Sequence, residues 1–180
     1  MLKNLFLYFS LLLIPILSFS QFSKTHYIPP VVASIGVPVG EQYIYISTPS
    51  LTPVNFSINE IGGGIIAGTV SRDIPYVFNI NAHNRNQFVL DEYEVGYIQT
   101  NRGYIIEAGD VVYATVRIID QTGNQSSEIV SKGLAALGTQ FRISGLTNKL
   151  NTGYSERHLT FASVLATENN TVVNFKDIRN

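Results

Sequence analysis

Short runs in which residues of two kinds alternate, each closed by glycine, proline, asparagine or aspartate, are what most constrain this chain. A period of two sends successive side chains to opposite faces, which lets a strand bury one side and leave the other to solvent. Tyr43, Ile44, Tyr45 and Ile46 alternate aromatic and aliphatic groups, and in 54–58 Val54, Phe56 and Ile58 share a face. Further strands are expected at 65–70, 76–80, 87–90, 104–107 and 111–119. In the last of these Val112, Ala114, Val116 and Ile118 oppose Tyr113, Thr115 and Arg117, while Ala108-Gly109-Asp110 just before it predicts a tight hairpin loop. Residues 159–166 are apolar on both faces, as in a strand covered on both sides. Helical periodicity is almost missing: the stretch 127–138 is interrupted by Gly133 and closed by Gly138, leaving room for a turn or two. The fold class that follows is all-β, an antiparallel sandwich-like domain of short strands, with a propeller-like β-repeat as the alternative.

One spacing occurs twice. Thr48, Thr52, Val54, Asn55 and Phe56 recur as Thr167, Thr171, Val173, Asn174 and Phe175, the pattern T-x3-T-x-V-N-F. After Phe56 the chain runs on through Gly62-Gly63-Gly64 and two more strand candidates, whereas only 176–180 follow Phe175. On this reading the second unit continues in a longer polypeptide, and 41–180 is a domain truncated at its C-terminus with an open edge prone to pairing. Two copies are too few for a regular short-period array.

The N-terminus reads as an export signal. Lys3 precedes an apolar run over 5–17, and Ser18 and Ser20 supply the small residues of a cleavage site between Ser20 and Gln21. The run is short for a membrane span, which takes roughly 20 residues, and no segment after the signal is apolar enough to cross. The expected organisation is a signal peptide at 1–20, a proline-rich extended lead-in outside the core at 21–40, and one all-β domain at 41–180. With no cysteine among 180 residues, neither a disulfide framework nor a thiolate metal site is available. A formal net charge of −1 gives no electrostatic basis for binding nucleic acid.

Chemistry-bearing patterns are sparse. Gly62, Gly64 and Gly68 have a dinucleotide-like spacing, but a phosphate loop needs a helix behind it, and Ile65, Ile66, Thr69 and Val70 favour a strand; a β-turn is the expectation, with no cofactor. Asp91, Glu92 and Glu94 read as a solvated acidic loop, with calcium ligation as the alternative. His26, His83 and His158 have no metal-binding spacing, and no G-x-S-x-G elbow exists. No catalytic or metal-binding residue is therefore assigned. The candidate ligand contacts are the tyrosines Tyr43 and Tyr45 on one strand face and Tyr93 and Tyr97 near a long loop, because tyrosine offers rigid contact area with a polar tip suited to glycan or protein.

The segments 130–143 and 158–175, with residues 26–30 and 43–49, carry a resemblance to a known family. Through Lys132, Gly133, Ala136, Leu137, Gly138 and Phe141, then Leu159, Phe161, Val164, Ala166, Thr167, Glu168, Asn169, Thr171 and Val173, the chain resembles the start of large exported surface proteins of Bacteroidetes with an IgGFc-binding-protein N-terminal-like domain. The resemblance implies an adhesive or gliding-associated surface protein, carries no catalytic residues, and leads to the expectation that the chain belongs to a longer polypeptide. The functional expectation is a non-catalytic exported binding or adhesion module at the cell surface or outside the cell, periplasmic if no sorting domain follows. An exported carbohydrate-active enzyme, or its accessory carbohydrate-binding module, is the alternative.

Overall fold

The computed structural model describes residues 21–33, 38–124, 126–144 and 161–176; the expected signal peptide, including Ser20, lies outside them. The described chain is mostly antiparallel β-sheet, as the alternation requires. Its strands are β1 (Ser23–Ile28), β2 (Val31–Val32), β3 (Val39–Ser47), β4 (Val54–Glu60), β5 (Ile65–Val70), β6 (Tyr76–Asn79), β7 (Val89–Leu90), β8 (Tyr104–Asp120) and β9 (Ser126–Val130). Short 3₁₀ turns at Ile80–Ala82, Arg85–Gln87, Glu92–Glu94 and Gly133–Ala136 complete it.

The organising element is β8, and it corrects the expected hairpin. Ala108-Gly109-Asp110 does not reverse the chain: the strand runs through it for 17 residues. A hairpin loop needs the following strand to pair with the preceding one, and here both halves already have other partners on both edges. The first half lies between β4, with Ile58 opposite Ile106, and β1, with His26 opposite Ile106. The second half lies between β3, with Ile44 opposite Val116, and β9, with Ile129 opposite Val116. Along one edge of β8 the chain passes from β3 to β4; along the other, β9 and β1 follow end to end, and just past β9 Ser131 N–H donates to the Ala114 carbonyl of β8 at 3.0 Å. Outside β3 and β4 run β6 and β5. The result is two half-sheets sharing one long strand, a sandwich whose corner is made by strands that change sheets.

The alternation decides what lies between the halves. Phe56, Ile58, Tyr104, Ile106 and Ile28 from one half and Ile44, Ile46, Phe78, Ala114 and Val116 from the other form one buried cluster. Phe78 meets Tyr104 edge to face across it, with ring centroids 6.1 Å apart, and Phe56 meets Tyr76 likewise at 4.8 Å.

Residues 21–40 are not simply a lead-in. β1 is a paired strand with His26 and Ile28 fully in the core, and β2 pairs in parallel with β7, Val31 opposite Val89. Pro29-Pro30 separate β1 from β2, and Pro38 immediately precedes β3. The expected strand at 87–90 shortens to Val89–Leu90 behind a 3₁₀ turn, and the expected helical turn at 127–138 divides into β9 and the turn Gly133–Ala136. In the described part of the last expected strand pair, 161–176, the turn forms, with Asn170 at φ 61 and Thr171 Oγ1 donating to the Glu168 carbonyl at 2.8 Å, but neither flank is a strand. The expectation of a strand covered on both sides fails over 161–166, since Phe161 and Val164 are exposed. Apolar residues on both faces require two covering layers, and no strand pairs with this segment among the described residues.

Candidate functional site

The outer face of the second half-sheet carries an aromatic surface built by register. Because β3 sends Ile44 and Ile46 inward, Tyr43 and Tyr45 must point outward, and their rings lie 6.1 Å apart at a 50° tilt. Opposite residues in an antiparallel pair share a face, so two rows cross this surface. One is Val77, Tyr45, Thr115 and Val130; the other is Asn79, Tyr43, Arg117 and Glu128. Tyr43 donates its hydroxyl to Glu41 Oε2 at 2.8 Å, which leaves the phenol oxygen free to accept a hydrogen bond. The hydrogen bond to Glu41, with smaller effects of burial and nearby charge, raises the Tyr43 pKa above its ordinary value. This face therefore presents apolar ring surface, a guanidinium, a carboxamide and carboxylates together.

Tyr93 belongs to a different place. With Arg85, Asn86, Asp91, Glu94 and Arg102 it lines an open groove of about 560 Å³ between the start of β3 and the 3₁₀ turn Glu92–Glu94. Here the acidic oxygens are largely engaged. Asp91 and Glu94 form a capping box on that turn, Tyr93 donates to Asp91 Oδ2 at 2.7 Å, and Arg102 reaches Glu94 Oε1 at 3.4 Å and the Asn86 carbonyl. The hydrogen bond to Asp91 raises the Tyr93 pKa. Tyr97 is exposed in the loop beyond. Of the four candidate tyrosines, then, the fold pairs Tyr43 with Tyr45, sets Tyr93 in the groove, and leaves Tyr97 on a loop tip. Among the described residues no three of His, Asp and Glu converge as a metal-holding group. Gly62-Gly63-Gly64 form the turn between β4 and β5, where Gly63 N–H donates to the Glu60 carbonyl at 2.9 Å; a strand follows it, as expected.

A third constellation escapes sequence reasoning because its members lie 105 residues apart. His26 Nε2 lies 2.9 Å from the Val112 carbonyl and Nδ1 3.0 Å from Ser131 Oγ. A carbonyl only accepts, so Nε2 carries the proton and Nδ1 accepts from the Ser131 hydroxyl. That is the hydrogen bond of a serine–histidine pair, but His26 is fully buried, and a substrate could not reach it without opening the sheet. Its role is a clasp. Ser131 Oγ also accepts from Gly133 N–H at 3.3 Å, and Ser23 Oγ accepts from Leu134 N–H at 3.4 Å, so the turn after β9 is fastened onto β1. Burial lowers the His26 pKa from 6.5 against the opposing effect of its backbone hydrogen bonds.

Fold and surface together define a sandwich-like antiparallel β-module with an aromatic outer face. No family model matches the chain, and neither a curated protein nor a solved structure matches it.

Proposed function

We propose that the protein is an exported, non-catalytic binding or adhesion module of the cell surface, and that its ligand, a glycan or a protein, is held on the face of Tyr43 and Tyr45. The observation that carries this reading is the register-built aromatic surface, where two tyrosines flanked by Arg117, Asn79 and Glu41 stand on paired strands. A rigid sheet face fixes its side chains without the ordering cost that a loop pays on binding. Tyrosine rings offer apolar area to the C–H face of a sugar or to an apolar side chain, and the polar groups at their margins satisfy hydroxyls or backbone amides. Export is supported by the signal-like N-terminus, and the surface role by the resemblance to IgGFc-binding-protein N-terminal-like domains.

The test is an array of glycans and matrix proteins probed with the purified chain and with Tyr43→Ala/Tyr45→Ala. Binding by the native chain that falls about tenfold or more in the variant is expected, the effect of losing an anchor worth about 1.4 kcal/mol. Absence of binding above background across the array, or binding unchanged in the variant, would count against it.

A further inference from the structure

The open edge of β5 and the segment 161–176 carry an inference that goes beyond ligand binding. Ile65–Val70 is an edge strand of six residues with neither a charge nor a proline, and no strand pairs with the side away from β4 among the described residues. Its outward side chains Ile65, Ala67 and Thr69 are exposed. Edge strands of soluble proteins ordinarily carry a lysine, a proline or a cover that blocks pairing with another chain. The opposite margin of β5's own half-sheet carries a charge, Lys24 on β1, while the other end strand, β6, is also uncharged but only four residues long.

Residues 173–175 repeat the Val-Asn-Phe that opens β4, the neighbour of β5. In β4, Val54, Asn55 and Phe56 face Val70, Thr69 and Gly68, with Val54 6% and Phe56 4% exposed. Their counterparts Val173 and Phe175 are 46% and 60% exposed. The repeated spacing gives Val173, Asn174 and Phe175 the same alternation that β5 already accepts on one edge. Among the described residues a chain's own 171–175 pairs with no strand, its β5 included, so this segment is free to add to the β5 of another molecule.

We propose that residues 171–175 of one molecule add as a strand to the free edge of β5 in a second copy, and that two chains exchange these arms reciprocally across a two-fold axis. Backbone hydrogen bonds supply the pairing, while Val173 and Phe175 turn toward the core side of the partner's sheet and Asn174 toward solvent.

Light scattering coupled to size-exclusion chromatography on the purified chain tests this, with two substitutions at exposed positions that leave the sandwich itself untouched. A dimer is expected for the native protein, and monomers for Phe175→Asp and for Thr69→Lys with an unchanged far-UV circular dichroism spectrum. Because the chain has no cysteine, Thr69→Cys and Asn174→Cys preparations can be mixed and oxidised without background, and a disulfide-linked heterodimer is expected. A native monomer, a dimer indifferent to both substitutions, or a Thr69→Cys/Asn174→Cys double variant that cross-links only within one molecule would each overturn the proposal.

Discussion

His26 is a base held where its charge is costly. Its pKa is lowered by burial from 6.5, so between that value and the lower folded one the unfolded chain binds the proton and the folded chain does not. Stability therefore falls as pH drops below about 6.5, the ordinary histidine value, and levels off once the folded imidazole is itself protonated. Urea unfolding midpoints measured from pH 8 to pH 4 should show this decline in the native protein and a shallower one in His26→Gln. An equal slope in both would place the acid sensitivity elsewhere. Gly133 shares the clasp. It sits at φ 55, and a Cβ there would come within 2.2 Å of Ser23 Cβ, so Gly133→Ala should cost about 1–3 kcal/mol of stability by the same unfolding measurement. At this scale the sequence is legible where partners are close together: Tyr43 and Tyr45 are two residues apart on one strand, and their shared outward face follows from period two alone. The tie between His26 and Ser131 is illegible because it depends on which strands meet along β8, and neither residue lies in a pattern that announces the other.

At the scale of elements, β8 decides the architecture. Strand existence was legible, since β5 spans the expected 65–70 and β4 extends the expected 54–58 by two residues. Strand continuity was not. Ala-Gly-Asp between two alternating runs is compatible with a loop or with a bend inside one strand, and only the pairing of both flanks with separate neighbours distinguishes them. Two glycines test the distinction. At Gly109, in the bend, the nearest atom to an added Cβ is the Asn55 carbonyl oxygen at 3.8 Å, whereas at Gly68 the Phe56 Cζ lies at 2.6 Å. Gly109→Ala should accordingly stay within about 0.5 kcal/mol of the native stability, while Gly68→Ala should lose about 1–3 kcal/mol by displacing a core ring. Were Gly109 the positive-φ pivot of a tight hairpin, the alanine would be damaging there too.

For the whole molecule, the missing helical periodicity and the frequent turn residues already specified an antiparallel all-β domain, and a sandwich is what forms. The part that resisted prediction is the outcome for 161–176: its strand-like sequence is a statement about propensity, and propensity becomes a strand only when a neighbour supplies the other half of the hydrogen bonds. The same logic places the tyrosines of the proposed binding face, because once Ile44 and Ile46 are committed to the core, Tyr43 and Tyr45 have nowhere to go but out. The most direct measurement is a titration of ¹⁵N-labelled protein, followed by amide chemical shifts, with the glycan or protein that scores highest on the array. Saturable shifts centred on Tyr43, Tyr45, Val77, Asn79 and Arg117 are predicted. Shifts confined to Arg85, Tyr93 and Arg102, or none at concentrations where the array signal saturates, would contradict the account.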